Sequence, residues 1–211
     1  MIAAFDVDAQ RTFTPLCPNE LPVTGGDEIA DELNAQAQLA SFRIASKDAH
    51  CPTAKWVVPS HDEMLKPLPY ADADLTWVRH AEPGTEGFEL IPGLPAPAAY
   101  DFLVYKGVET GMHPYGACYH DLAGRISTGV IEWLQCRGVD TVLVGGLALD
   151  FCVKTTALQL AAAGFKVYVN LAACRAISEQ GAASAREEMT QAGIMLLKDS
   201  QALAAALNGS H

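Results

Sequence analysis

The stretch Thr141–Asn170, TVLVGGLALDFCVKTTALQLAAAGFKVYVN, decides the fold. Its first four residues are β-branched or leucine and lead into Gly145-Gly146, so they read as a strand buried on both faces. A helix from about Phe151 to Ala163 follows, ended by Gly164, and a second strand runs from Lys166 to Asn170. Two strands joined by a helical crossover lie parallel. The alternation continues in both directions. Upstream, Ile2–Val7 reads as a strand, and Gly25, Gly26 and Asp27 open a helix to about Ala40, with Ile29, Leu33 and Ala37 spaced by four. Ser41–Lys47 and Phe102–Tyr105 are further strands. Leu122, Ile126, Val130 and Leu134 form an apolar stripe that predicts a helix over Asp121–Arg137, closed by Gly138. Downstream come a helix capped by Ser178 and ending near Gly193, a strand at Ile194–Leu197, and a last helix after Asp199. Six strands alternating with helices give an α/β fold, a six-stranded mostly parallel sheet with helices on both faces.

The 211 residues read as a single domain, with a long loop-rich region at about 48–100. That region carries Trp56, Tyr70, Trp77 and Phe88, too many large apolar groups for a linker, and loops of this length inside a domain are usually functional. Fourteen Lys and Arg stand against 25 Asp and Glu, a net charge of −11, and no basic cluster interrupts it. Nucleic acid and anionic membrane are therefore excluded as expected partners, and a small molecule is expected instead. The amino-terminal stretch lacks a basic region and a cleavage site, and the longest apolar run, Val142–Leu149, is far short of the roughly 20 residues of a membrane span. A cytoplasmic protein is expected. Its six cysteines, Cys17, Cys51, Cys118, Cys136, Cys152 and Cys174, show no CxxC spacing and read as reduced thiols.

In an open parallel sheet, ligands bind beyond the carboxyl ends of the strands. Polar groups gather there: Asp8 after the first strand, Asp48 and His50 after the second, Lys106 after the third, and Cys152 after the fourth. Cys152 opens a helix, where a thiolate is favoured, and Lys106 offers a cation. Of the six thiols it alone combines these features, so it is expected to be ionised near neutral pH and alkylated first. Asp8 would take and return the thiol proton, and the turn Gly145–Phe151 offers backbone N–H groups to an oxyanion. Asp48 and His50, with His80 from the loop region, suit a mixed N and O site for Zn, Mn, Fe or Co. His61, His113 and His120 find no partner by spacing and read as surface or loop residues, with His61 and Cys51 kept as extra ligands.

DAQRTF (Asp8–Phe13) and GGLALDFCV (Gly145–Val153) resemble the Asp-x-Gln-x-x-Phe and Gly-x-Ala-Thr-Asp-x-Cys-Val segments of the nicotinamidase and isochorismatase-like cysteine hydrolases. KDAH, WVRHAEPGTEG and VYKG fall between them in that family's order, and the Asp-x-His with a later Trp-x-x-His resembles its metal-dependent nicotinamidase/pyrazinamidase members. The resemblance implies a triad of Asp8, Lys106 and Cys152, and an oxyanion hole from the N–H groups of Ala148 and Cys152 after a cis Leu147–Ala148 peptide. It also implies one divalent ion, zinc ahead of iron or manganese, on Asp48, His50 and His80. Phe13, Trp77 and Tyr115 would wall a pocket for an aromatic amide. Leu149, Arg11-Thr12 and Ala81 depart from the family's usual Thr, Asn-Asp and Cys, and Phe151 precedes the nucleophile. A fourth metal ligand is unassigned and the oligomeric state is open. The activity implied is hydrolysis of nicotinamide to nicotinate and ammonia through a Cys thioester, as in NAD salvage. Another small amide or a vinyl ether as substrate, a metal-bound hydroxide acting beside a merely packed Cys152, and a non-catalytic binding module are the alternatives.

Overall fold

The computed structural model describes residues 1–209. In chain order the elements are β1 (Ile2–Val7), α1 (Ala30–Ala37), β2 (Phe42–Asp48), β3 (Val57–Val58), β4 (Pro67–Tyr70), β5 (Ala73–Leu75), β6 (Trp77–Val78), β7 (Phe102–Lys106), α2 (Val130–Cys136), β8 (Thr141–Leu147), α3 (Lys154–Ala162), β9 (Lys166–Arg175), α4 (Glu179–Gln191), β10 (Met195–Leu197) and α5 (Ser200–Asn208). Six of the strands form one sheet in the order β10-β9-β8-β1-β2-β7, and every neighbouring pair is parallel. The fold class expected from the alternation is the one observed.

Side chains alternate across the sheet with the period of two that a pleated strand imposes. Phe5, Val7, Val142, Val144, Val167 and Val169 point to one face and pack with Leu134 of α2, Leu160 of α3 and Met189 of α4. Leu143 and Tyr168 point to the other, against Leu203 of α5. All seven residues of β8 are buried, which is why its sequence carries no polar alternation. Residues between β2 and β7 build a second apolar cluster, in which Trp56 and Trp77 join Phe13, Leu33 and Ile91. Among the described residues, no helix is long and apolar enough to cross a membrane.

Three boundaries differ from the sequence expectation. The helix expected over Asp121–Arg137 is confined to Val130–Cys136. The Asp121 carboxylate accepts the N–H groups of Arg125 and Ile126, an alternative to the helical ladder that Asp offers readily. Gly124 and Gly129 then take left-handed conformations, leaving Ile126 exposed. The helix expected from Asp27 to Ala40 begins as a short 3-10 turn at Gly26–Glu28 and is α-helical only over Ala30–Ala37. β9 runs on to Arg175, because a shift in its register with β8 between Val144 and Gly146 lets a second segment pair.

Gly146 sits at that shift with φ +136°, and a Cβ built there would lie 1.9 Å from the carbonyl oxygen of Val7. Gly146→Ala is expected to cost about 3 kcal/mol or more of unfolding free energy, from backbone strain and overpacking together. Gly164→Ala, also at positive φ (+91°) but with nothing within 4 Å of the new Cβ, should cost only about 1–2 kcal/mol. Urea unfolding of the two variants checks the difference.

Candidate active site

β1, β2 and β7 are consecutive in the sheet; β2 and β7 each end in a charged residue, and one directly follows β1. Asp48 and Lys106 are direct register partners, so the pleat aims both the same way. Asp8 lies one residue past β1 with φ +45°, a turn that Asp tolerates better than most residues. The fully buried Lys106 Nζ lies 3.0 Å from Asp8 Oδ2 and 2.5 Å from Asp48 Oδ1, donates to the Pro114 carbonyl at 3.1 Å, and is 3.7 Å from Cys152 Sγ. Ser46, on the same face of β2 as Asp48, donates its hydroxyl to Asp8 Oδ1 at 2.6 Å. Gln10 clamps the second strand end by donating to the Asp48 carbonyl and accepting the Asp48 N–H.

Cys152 is set by the end of β8. The Leu147–Ala148 peptide is cis, and residues Leu149–Val153 wind as a single π-helical turn before α3. The Ala148 carbonyl accepts from the N–H groups of Phe151 and Val153. The Asp150 carboxylate accepts from Ile177 and Ser178, anchoring the turn to the loop before α4. Asp8, Lys106 and Cys152 are thereby brought into one buried cluster from three strand ends.

Its electrostatics differ from the sequence expectation in one respect. Burial pushes the Cys152 thiol well above its ordinary value; Lys106 pulls it down, but Asp8 and Asp48 push it up again. Burial and the two carboxylates thus oppose the thiolate that the helix terminus and Lys106 favour. Burial raises Asp8 as well, against the pull of Lys106. Burial also works against the Asp48 carboxylate, but Lys106 and His50 overcome it and hold that group well below the usual range. Lys106 stays an ammonium: burial opposes its charge, and the two carboxylates more than restore it.

Beside this cluster lie three buried imidazoles, His50, His80 and His113, whose nearest ring nitrogens are all within 4.8 Å of one another. His50 Nδ1 faces the Gly107 carbonyl at 3.0 Å and His80 Nδ1 the Val78 carbonyl at 2.7 Å. Carbonyls only accept, so both Nδ1 atoms carry a proton, and Nε2 is the atom of each ring left to ligate an ion. His50 Nε2 lies 3.3 Å from Asp48 Oδ2 with no hydrogen-bond partner. A carboxylate oxygen and an unpartnered ring nitrogen this close in a dry interior suit a shared cation, and ligands of one tetrahedral zinc stand roughly 3.3 Å apart. His80 is lowered to about 3, by burial first and His50 second, so it is neutral and ready to ligate at ordinary pH. Asp48, His50 and His80 fit a divalent ion.

His113 lies in a loop, as expected, but its burial corrects the reading of it as a surface residue. It is 4% exposed and stacks on Trp77 and His50. His61 stays outside, its Nε2 against the Glu20 carbonyl, and the partly exposed Cys51 pairs with Thr53. Phe13, Trp77 and Tyr115 line a cavity above Cys152 together with Ala148, His80 and His113, and Phe151 joins the wall against Trp77. Sequence reading missed His113, Trp56, Ser46 and Phe151 as site residues. Ser46 could have been found from its position two before Asp48 on a strand, and His113 from its place two before Tyr115. The departures are also explained. Thr12 and the Ala81 N–H both bond the Glu20 carboxylate, Arg11 pairs with Glu86, and Leu149 packs in the core.

A model of the Isochorismatase domain matches residues 6–201. The nicotinamidase of Acinetobacter baylyi is 34% identical over 194 residues, 89% of this chain and 88% of that protein. Among solved structures, a nicotinamidase/pyrazinamidase of Acinetobacter baumanii superposes with a TM-score of 0.84 at 30% identity, covering 96% of this chain and 97% of that one. The pyrazinamidase of Pyrococcus horikoshii in complex with zinc superposes with a TM-score of 0.71 at 27% identity, covering 93% and 98%.

Two measurements follow from the charges. Cys51 is partly exposed and its bond with Thr53 lowers its pKa, whereas Cys152 is buried and raised. In the metal-free protein, substoichiometric iodoacetamide should label Cys51 before Cys152, as peptide mapping will show. His80, near 3 when folded and about 6.5 when unfolded, contributes stability in full above pH 6.5 and loses it as pH falls toward 3. Its ring resonances in the metal-free protein should show no titration by NMR between pH 8 and 5.

Proposed function

The chain belongs to the isochorismatase family, and on that premise we propose that it hydrolyses nicotinamide to nicotinate and ammonia through a thioester on Cys152. That it is a hydrolase acting on an amide bond rests on its relatives at 30% identity or more. The observation that carries the finer reading is the convergence of Cys152, Asp8 and Lys106 beneath a small aromatic-walled cavity.

The flat ring of the substrate lies between Phe13, Trp77 and Tyr115, with its carboxamide over Cys152. Sγ attacks the carbonyl carbon as its proton passes to Asp8, a carboxylate that burial has made more basic than usual. The developing oxyanion takes the N–H groups of Ala148 and Cys152. Asp8 then gives its proton to the amide nitrogen, the carbon–nitrogen bond breaks, and ammonia leaves a thioester behind. Water attacks that carbonyl while Asp8 takes its proton, nicotinate departs, and the proton returns to sulfur. Lys106 holds both Asp8 and the sulfur in place and offsets whichever of them is anionic. Asp48, His50 and His80 would hold one divalent ion, zinc ahead of iron or manganese, which would supply a Lewis acid for the pyridine nitrogen or a water.

The purified protein is expected to release ammonia from nicotinamide, assayed beside pyrazinamide and benzamide. Cys152→Ala should lose at least about a thousandfold in kcat while keeping its metal. Near-native turnover by Cys152→Ala would transfer the nucleophile's role to a metal-bound hydroxide; no turnover on any of the three amides, with metal present, would remove nicotinamide as the substrate.

A further inference from the structure

We infer that His113 is a fourth protein ligand of the metal centre, joining Asp48, His50 and His80 from a segment of the chain well beyond theirs. The inference rests on the metal reading above and deepens it.

His113 is 4% exposed, and neither of its ring nitrogens has a hydrogen-bond partner. An imidazole with both nitrogens unsatisfied in an interior is costly and calls for a partner. The ring is held by packing alone. It stacks on Trp77 at 5.6 Å and 15° and on His50 at 4.9 Å and 21°, and meets Trp56 edge-on at 4.3 Å. Its backbone is fixed independently, by the bond from its N–H to the Asp72 carbonyl at 2.7 Å and by the Pro114 carbonyl on Lys106. So placed, a ring nitrogen comes within 4.8 Å of a ring nitrogen of His50 and of one of His80. Those two rings have each committed Nδ1 to a carbonyl; His113 has committed neither nitrogen. Three imidazoles and one carboxylate form a donor set suited to zinc and to ferrous or manganous ions.

If His113 served only to fill space between Trp77 and His50, a phenyl ring would fill it as well. His113→Phe keeps the stack and removes the ligand. Zinc affinity of the full-length protein, measured by competition with a chelator, should fall at least about tenfold in His113→Phe, since losing even an outer partner of a ligand costs that much. The visible absorption of the Co2+-loaded protein should change in band position and intensity. His113→Cys should recover most of the zinc affinity and add a sulfur-to-cobalt charge-transfer band that the native protein lacks. Should His113→Phe not fold, judged by circular dichroism of the metal-free form, His113→Asn takes its place. Native zinc affinity with an unchanged cobalt spectrum in the folded variant overturns the inference and leaves the metal reading standing. If the native protein binds neither zinc nor cobalt, the metal reading falls and takes this inference with it.

Discussion

A single ammonium group holds the site together. Lys106 is wholly buried, and its charge is sustained by two carboxylates, Asp48 on the adjoining strand β2 and Asp8 just past β1. Taking that ammonium away would leave Asp8 and Asp48 as like charges in a dry interior, a loss of roughly 3–5 kcal/mol by the usual scale for a broken buried pair. The arrangement depends on register. Asp48 lies opposite Lys106 because β2 and β7 are aligned from Ile44 and Phe102 onward, and a one-residue slip would turn Lys106 to the other face. Burial is the first reason that the Cys152 thiol is pushed up, and two carboxylates against one ammonium add to it by leaving the pocket with an excess of negative charge.

The region between β2 and β7 has only the short strands β3 to β6 of its own and is tied to this centre by side chains. Gln10 ties it to the end of β2 through Asp48 and Phe88, and Glu20 gathers Thr12 and Ala81 next to His80. Gly107 follows Lys106 with φ +73°, and any Cβ there would strike the His50 ring at 2.2 Å. That glycine lets one turn of chain serve both clusters: Lys106 points to the carboxylates and the Gly107 carbonyl orients His50. Further along, His113, Pro114 and Tyr115 reach the imidazoles, Lys106 and the cavity wall in succession.

The sheet was legible in the sequence because apolar periodicity and glycine punctuation both reflect which residues are buried. Strand ends were legible for the same reason, and they brought Asp8, Asp48, Lys106 and Cys152 together on paper. Two features were not. The stripe Leu122, Ile126, Val130 and Leu134 has helical spacing throughout, but the Asp121 side chain captures two backbone N–H groups and only the second half becomes a helix. His113 has only its place two before Tyr115 to mark it; its surroundings are made by Trp56, Trp77 and His50, which only the fold assembles. The opposition to a Cys152 thiolate was not legible either: a helix terminus and a nearby lysine are visible in a sequence, whereas complete burial beside two carboxylates is not.

The packing of tryptophan against the imidazoles has an optical consequence. Of the three indoles, Trp56 and Trp77 lie within 6.5 Å of His80 and closer still to His113. The third, Trp133, sits on α2 between Phe42 and Phe102 in the other core cluster. A charge appearing on or among the histidines changes the electric field felt by the first two emitters and leaves the third as an internal standard. The molecule therefore carries a built-in fluorescence gauge for the electrical state of its own site, with no dye attached.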